Sequence, residues 1–146
     1  MRPSSLLVLP ALLLGAAVLA PRATAAPPAY KVIAHPSTAA TSVERRFLSD
    51  AFLKKVTRWP TGEGIRPVDL SASTATRRTF SEEVLGRGVE AVKSYWQQCI
   101  FSGRDVPPPE LDNDDDVVRY VLKHPGAVGY VGAGTNAGAA KLLVVR

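Results

Sequence analysis

Residues 125–131 read Pro-Gly-Ala-Val-Gly-Tyr-Val. Pro125 and Gly126 stop whatever helix precedes them, because proline lacks an amide hydrogen and glycine reaches the left-handed backbone that ends helices. Ala127 to Val131 is then a short apolar run, which predicts a buried strand. Upstream, Asp112 to Asp116 place negative charge where a helix begins. Val117, Val118, Val121 and Leu122 follow at helical spacing, and Lys123 and His124 close the run. Downstream, Gly132 to Gly138 is a glycine-rich turn, and Lys141 to Val145 (KLLVV) reads as a closing strand.

The pattern continues toward the amino end. Tyr30 to Ala34 (YKVIA) reads as a strand, ended by His35-Pro36-Ser37-Thr38, since Pro36 disfavours helix at His35. Thr41 to Glu44 fits an S/T-x-x-E capping box. The helix expected after it carries Val43, Phe47, Leu48, Ala51 and Phe52 on one stripe and closes at Lys54 and Lys55. Ile65 to Leu70 reads as a strand, with Pro67 pointing to an edge position. Ser71 to Thr74 leads into a helix with Phe80, Val84 and Leu85 on one face, stopped by Gly86 and Gly88. A helix over Val89 to Ile100 follows, with Val89, Val92, Tyr95, Trp96, Cys99 and Ile100 as its expected buried side. Four strands alternating with four helices predict an α/β domain with a short mixed sheet flanked by about four helices.

Composition narrows the function. The chain has 146 residues, 46% of them hydrophobic and 21% charged, which excludes disorder, collagen-like sequence and a coiled coil. A single cysteine, Cys99, excludes an intrachain disulfide and a multi-cysteine metal site, and its apolar neighbours predict a core thiol. Only His35 and His124 are available for histidine chemistry.

Arg2, the apolar run Leu6 to Ala20 and the Ala23-Thr24-Ala25 triplet form the three parts of a signal peptide over residues 1–25. The run is short for a membrane span, so no span is expected in the mature chain. No cysteine follows it for a lipid anchor, and no twin arginine precedes it. Removing 25 of the 146 residues leaves 121. Arg2 and Arg22 leave with them, so 16 basic groups face 13 acidic ones. A flexible spacer is expected over 26–30 and one domain over 31–146. The basic groups are interspersed with acids, so nucleic-acid binding is not expected.

Four stretches together resemble the phosphate-binding proteins of ABC transporters, members of the type 2 periplasmic-binding-protein superfamily. Phe52-Leu53-Lys54-Lys55-Val56-Thr57-Arg58-Trp59 is similar to that family's I-F-L-G-K-x-x-x-W stretch. Ile65 to Phe80 resembles its following strand, loop and helix start, which carry R-x-D-G-S-G-T-x-x-x-F. Phe101 to Pro108 resembles a loop of short, single-lobe members. Pro125 to Val131 resembles the P-G-A-I-G-Y-V strand. The resemblance runs from about Val32 to Val131 and implies a single lobe, similar to the second of the two lobes that trap ligand in full-length members.

Aligned without gaps on Ile65 and Phe80, the family's phosphate-contacting Arg falls on Leu70 and its Asp on Ala72. Its first Gly falls on Ser73, its Ser on Thr74, its second Gly on Ala75 and its Thr on Thr76. Hydroxyls and backbone N–H groups are retained, and the charge-neutralising Arg is not. The resemblance therefore implies weak binding of phosphate or another small oxyanion at a helix amino end, through Thr74, the Ala75 N–H, Thr76 and Arg77. It implies a periplasmic or secreted protein, ABC transporter subunits or a second copy as partners, and no cofactor, metal or enzymatic activity. The competing expectation is a cell-envelope scaffold that kept the lobe and lost the ligand, with Ser73 or Thr74 a plain helix cap and both arginines solvated.

Other motifs carry less. Asp112-Asn113-Asp114-Asp115-Asp116 starts like a calcium loop, but Val117 and Lys123 stand where such a loop needs Gly and Glu. The Gly132-Ala133-Gly134 pair lacks the third glycine and the helix of a dinucleotide site. Ser37 and Thr38 are either turn residues or ligand-facing hydroxyls, and His35 has no identifiable catalytic partner.

Overall fold

The computed structural model describes residues 26–146; the signal peptide expected over 1–25 lies outside the described residues. A five-stranded mixed sheet forms the centre. Strand β1 (Tyr30–Ala34) pairs antiparallel with β6 (Ala127–Gly132) on one side and with β7 (Lys141–Val145) on the other. Tyr30, the last residue of the expected spacer, is thus already strand and buried. Short β2 (Ser42–Val43) runs parallel to β7, and short β3 (Arg66–Pro67) runs parallel to β6, giving the order β2-β7-β1-β6-β3. Pro67 therefore stands on an edge strand, where its missing N–H costs no ladder bond.

Alternation along β6 assigns its two faces. Tyr130 faces α1 (Arg45–Phe52) and α2 (Ala75–Phe80), where its ring stacks on Phe80 at 3.7 Å between centroids and lies 5.7 Å from Phe52. Gly129 faces α4 (Asp114–Lys123), and a Cβ built there would come within 2.9 Å of Val117 Cγ1 and 2.8 Å of Val68 Cγ1. The glycine lets α4 approach the sheet this closely. Helix α3 (Val89–Phe101) buries Val92, Trp96 and Cys99.

Several expectations are corrected. The Thr41 to Glu44 pattern does not cap a helix. Thr41 O accepts from Val144 N and Val43 O from Arg146 N, so sheet pairing claims this segment; α1 starts at Arg45, with no side-chain cap from Glu44. Lys54 and Lys55 fall beyond α1's last turn. The single strand expected over Ile65 to Leu70 is two. Val68 N still bonds Val128 O, but Asp69 N turns to Pro109 O, and β4 (Asp69–Leu70) pairs parallel with β5 (Glu110–Leu111). The described residues thus hold seven strands rather than four. On α3, Ile100 is half exposed rather than buried.

Helix α2 continues as a π-helical turn over Ser81–Leu85, which Gly86 ends in the left-handed conformation at φ 64°. Phe80, Val84 and Leu85 are buried, as their spacing predicts.

Candidate functional site

The loop 71–74 joins β4 to α2. Thr74 is the N-cap: its Oγ1 accepts from Arg77 N at 3.1 Å and donates to Ser71 O at 2.9 Å. Both functions of that hydroxyl are therefore used within the loop. The Thr74 N–H bonds Ser71 O, and Ala72 N bonds a Glu110 carboxylate oxygen at 3.0 Å. Among the described residues, the N–H groups of Ala75 and Thr76 have no hydrogen-bond acceptor. First-turn amides have none within their own helix.

Successive residues on a helix diverge by about 100°, and this separates the four expected contacts. Ala75 is exposed at the helix end. Thr76 turns toward the glycine-rich turn: its Oγ1 would lie 3.7 Å from a Cβ at Gly132, beside Asp114 Oδ2 at 3.1 Å from the same point. That carboxylate accepts from Gly132 N at 2.9 Å and from the Thr135 hydroxyl. Arg77 goes the other way, into the protein.

Arg77 is 5% exposed. Its Nη1 donates to Leu70 O at 2.7 Å and lies 2.8 Å from Asp69 Oδ2 and 3.7 Å from Glu110 Oε2; its Nε donates to Ser81 Oγ at 3.2 Å. Neither a freely solvated Arg77 nor one reaching out to a ligand at the helix end describes this arrangement. Asp69 is equally buried, and its Oδ1 accepts from Leu70 N at 3.1 Å and from the Tyr130 hydroxyl. A buried ion pair persists when extra hydrogen bonds satisfy both partners, and this one has them.

Burial pushes the Asp69 carboxyl up to about 6, with Arg77, the Tyr130 hydroxyl and the Leu70 N–H pulling it down and Glu110 adding to the rise. Burial, then the Asp69 charge, pushes the Tyr130 phenol up, so it stays a donor. Sequence reasoning missed Asp69, Tyr130 and Glu110 as parts of this network. The one available signal was an acid inside the apolar strand Val68-Asp69-Leu70, since a buried carboxylate requires a partner.

His35, Ser37 and Thr38 form a turn away from α2: Thr38 N bonds His35 O at 2.9 Å, and Ser37 Oγ lies 2.7 Å from His35 Nδ1. Among the described residues, no three His, Cys, Asp or Glu side chains gather to hold a metal ion. No helix among them is long and apolar enough to cross a membrane.

No protein-family model and no curated protein matches the chain. Solved structures do. One is a phosphate ABC transporter substrate-binding protein with bound phosphate from Clostridium perfringens: TM-score 0.62, 17% identity, covering 80% of this chain and 44% of that one. An ABC-type phosphate transport receptor from Vibrio cholerae gives 0.61 and 17%, over 80% and 46%. PstS from Borrelia burgdorferi gives 0.63 and 13%, over 81% and 47%. The chain thus has the fold of part of these phosphate-binding proteins and spans less than half their length.

Proposed function

We propose that this chain is an exported, non-enzymatic substrate-binding-like lobe that holds phosphate or a related oxyanion weakly at the amino end of α2. The fold it shares with phosphate transport proteins supports this reading, and so does the resemblance of residues 65–80 to their ligand-binding stretch. The observation that carries it is the pair of N–H groups on Ala75 and Thr76, left without acceptors at a helix end. Such groups, with the partial positive charge there, suit an oxyanion. Weakness follows from Arg77, whose charge is spent on Asp69, and from the Asp114 and Glu110 carboxylates nearby.

Calorimetry with phosphate and sulfate on the protein lacking residues 1–25 tests this. Heat and a thermal shift at millimolar anion are expected. Silence at that concentration would remove the oxyanion reading.

The second reading is a cell-envelope scaffold that meets ABC transporter subunits, another envelope protein or a second copy of itself. The turned-in Arg77 favours it, as does the apolar surface of Phe101, Ile100 and Val106, of which Phe101 is 91% exposed. A contiguous exposed apolar patch is the usual mark of an interaction surface, and these three side chains are the residues that would form one. Light scattering with and without phosphate separates the cases. A phosphate-dependent dimer would close an oxyanion site between two lobes, and a phosphate-indifferent monomer favours a different partner.

A further inference from the structure

Behind the α2 loop, on the side Arg77 faces, a cavity of about 420 Å³ lies between α3 and the 107–110 segment. Small-molecule sites run from roughly 300 to 1,000 Å³ and combine apolar walls with a few polar groups. Trp96, Ile100, Pro107 and Pro108 supply the apolar wall here.

The polar groups are of both signs and incompletely met. Arg77 lines the cavity and is nine-tenths buried. Its Nε and Nη1 are engaged by Ser81 and by Leu70 and Asp69, while Nη2 has no hydrogen-bond partner. Lys93 lines the same space and forms no ion pair among the described residues. Against these donors stand Glu90, also unpaired there, and Glu110, whose carboxylate is half exposed.

Asp69 and Arg77 cancel. Glu90 and Glu110 against Lys93 leave the cavity slightly acidic, which disfavours a simple anion. A simple cation would meet Glu90 and Glu110 but would face the like charges of Lys93 and Arg77 on the same wall. A neutral molecule carrying both charges satisfies both sets. We propose that this cavity binds a small zwitterion with an apolar side chain, the chemistry of a free apolar amino acid. The ligand's carboxylate meets Arg77 Nη2 and Lys93, its ammonium meets Glu110 and Glu90, and its side chain lies on Trp96, Ile100 and Pro108. This site is distinct from the oxyanion contact at Ala75 and Thr76 and does not rest on it.

The test uses the two tryptophans. Trp96 lines the cavity, whereas Trp59 does not and bonds Gly126 O through its indole N–H. Leucine, 3-methylbutylamine and 4-methylpentanoate are titrated separately into isotope-labelled protein while both indole N–H resonances are followed. A ligand of leucine's size supports a Kd of about 1 mM. Leucine is expected to shift Trp96 saturably and leave Trp59 unmoved, and both single-charge analogues are expected to bind about tenfold weaker. Ile100→Asp should weaken leucine about tenfold while keeping the unfolding midpoint, because Ile100 is half exposed. No saturable Trp96 shift, equal binding of either analogue, or an unchanged leucine affinity in Ile100→Asp would overturn the proposal. Phosphate titration reports on the α2 end separately, so either reading can fail while the other stands.

Discussion

Replacing Arg77 by methionine asks whether the residue belongs to the core or to a ligand. The substitution keeps the apolar stem and removes the guanidinium. In the structure that group lies 2.8 Å from Asp69, 2.7 Å from Leu70 O and 3.2 Å from Ser81 Oγ, and both ion partners are at most 7% exposed. Breaking such a pair from one side leaves a buried carboxylate alone, which costs about 3–5 kcal/mol. A domain of this size has a total stability of roughly 5–15 kcal/mol, so the loss is plain in urea unfolding. Asp69→Asn leaves the arginine alone and should also destabilise. The double variant, which removes both charges, should cost less than the sum of the two, with a coupling of about 0.5–3 kcal/mol. A loss below about 1 kcal/mol in Arg77→Met is what a solvated surface charge gives. That result would refute the buried network and return Arg77 to the list of free oxyanion ligands.

Two further outcomes follow from the same geometry. The Asp69 carboxyl rises from 3.8 to about 6 on folding, so the folded state favours its protonated form. Its contribution to stability is full below pH 3.8 and is lost as pH rises through about 6. Relative to Asp69→Asn, the unsubstituted protein should lose up to about 3 kcal/mol across that window, at about 1.4 kcal/mol per pH unit, and a pH-independent difference would contradict the assignment. Gly129→Ala places a Cβ 2.8 Å from Val68 Cγ1 and 2.9 Å from Val117 Cγ1. Overpacking of that kind should cost about 1–3 kcal/mol in thermal or urea unfolding, and an unchanged midpoint would show that α4 yields without cost.

The strands most legible in the sequence were those with their own hydrophobic signal. Tyr30 to Ala34, Ala127 to Val131 and Lys141 to Val145 are long enough for composition to identify them, and all three meet in one sheet. The two-residue strands carry no periodicity. Ser42–Val43 is a strand because β7 lies beside it, and that pairing displaced the capping box read at Thr41 to Glu44. Likewise, the chain changes sheets at Val68 because its next amide finds Pro109 O rather than β6, a contact 40 residues away in sequence.

The candidate site divides the same way. Its local features were readable: a hydroxyl cap, small residues and a helix start at Ala75. Thr76 and Arg77 are adjacent in sequence, yet they face different flanks about 100° apart, and sequence spacing did not reveal which flank is core. By itself the sequence determined the α/β pattern, the helix at whose start the proposed site lies and the resemblance to phosphate-binding proteins. Only the tertiary structure decided what the charge on Arg77 does. An arginine's role depends on which groups surround it in a low-dielectric interior, and here Asp69, Leu70 and Ser81 hold its Nη1 and Nε inside the protein, turned away from the exposed amino end of α2.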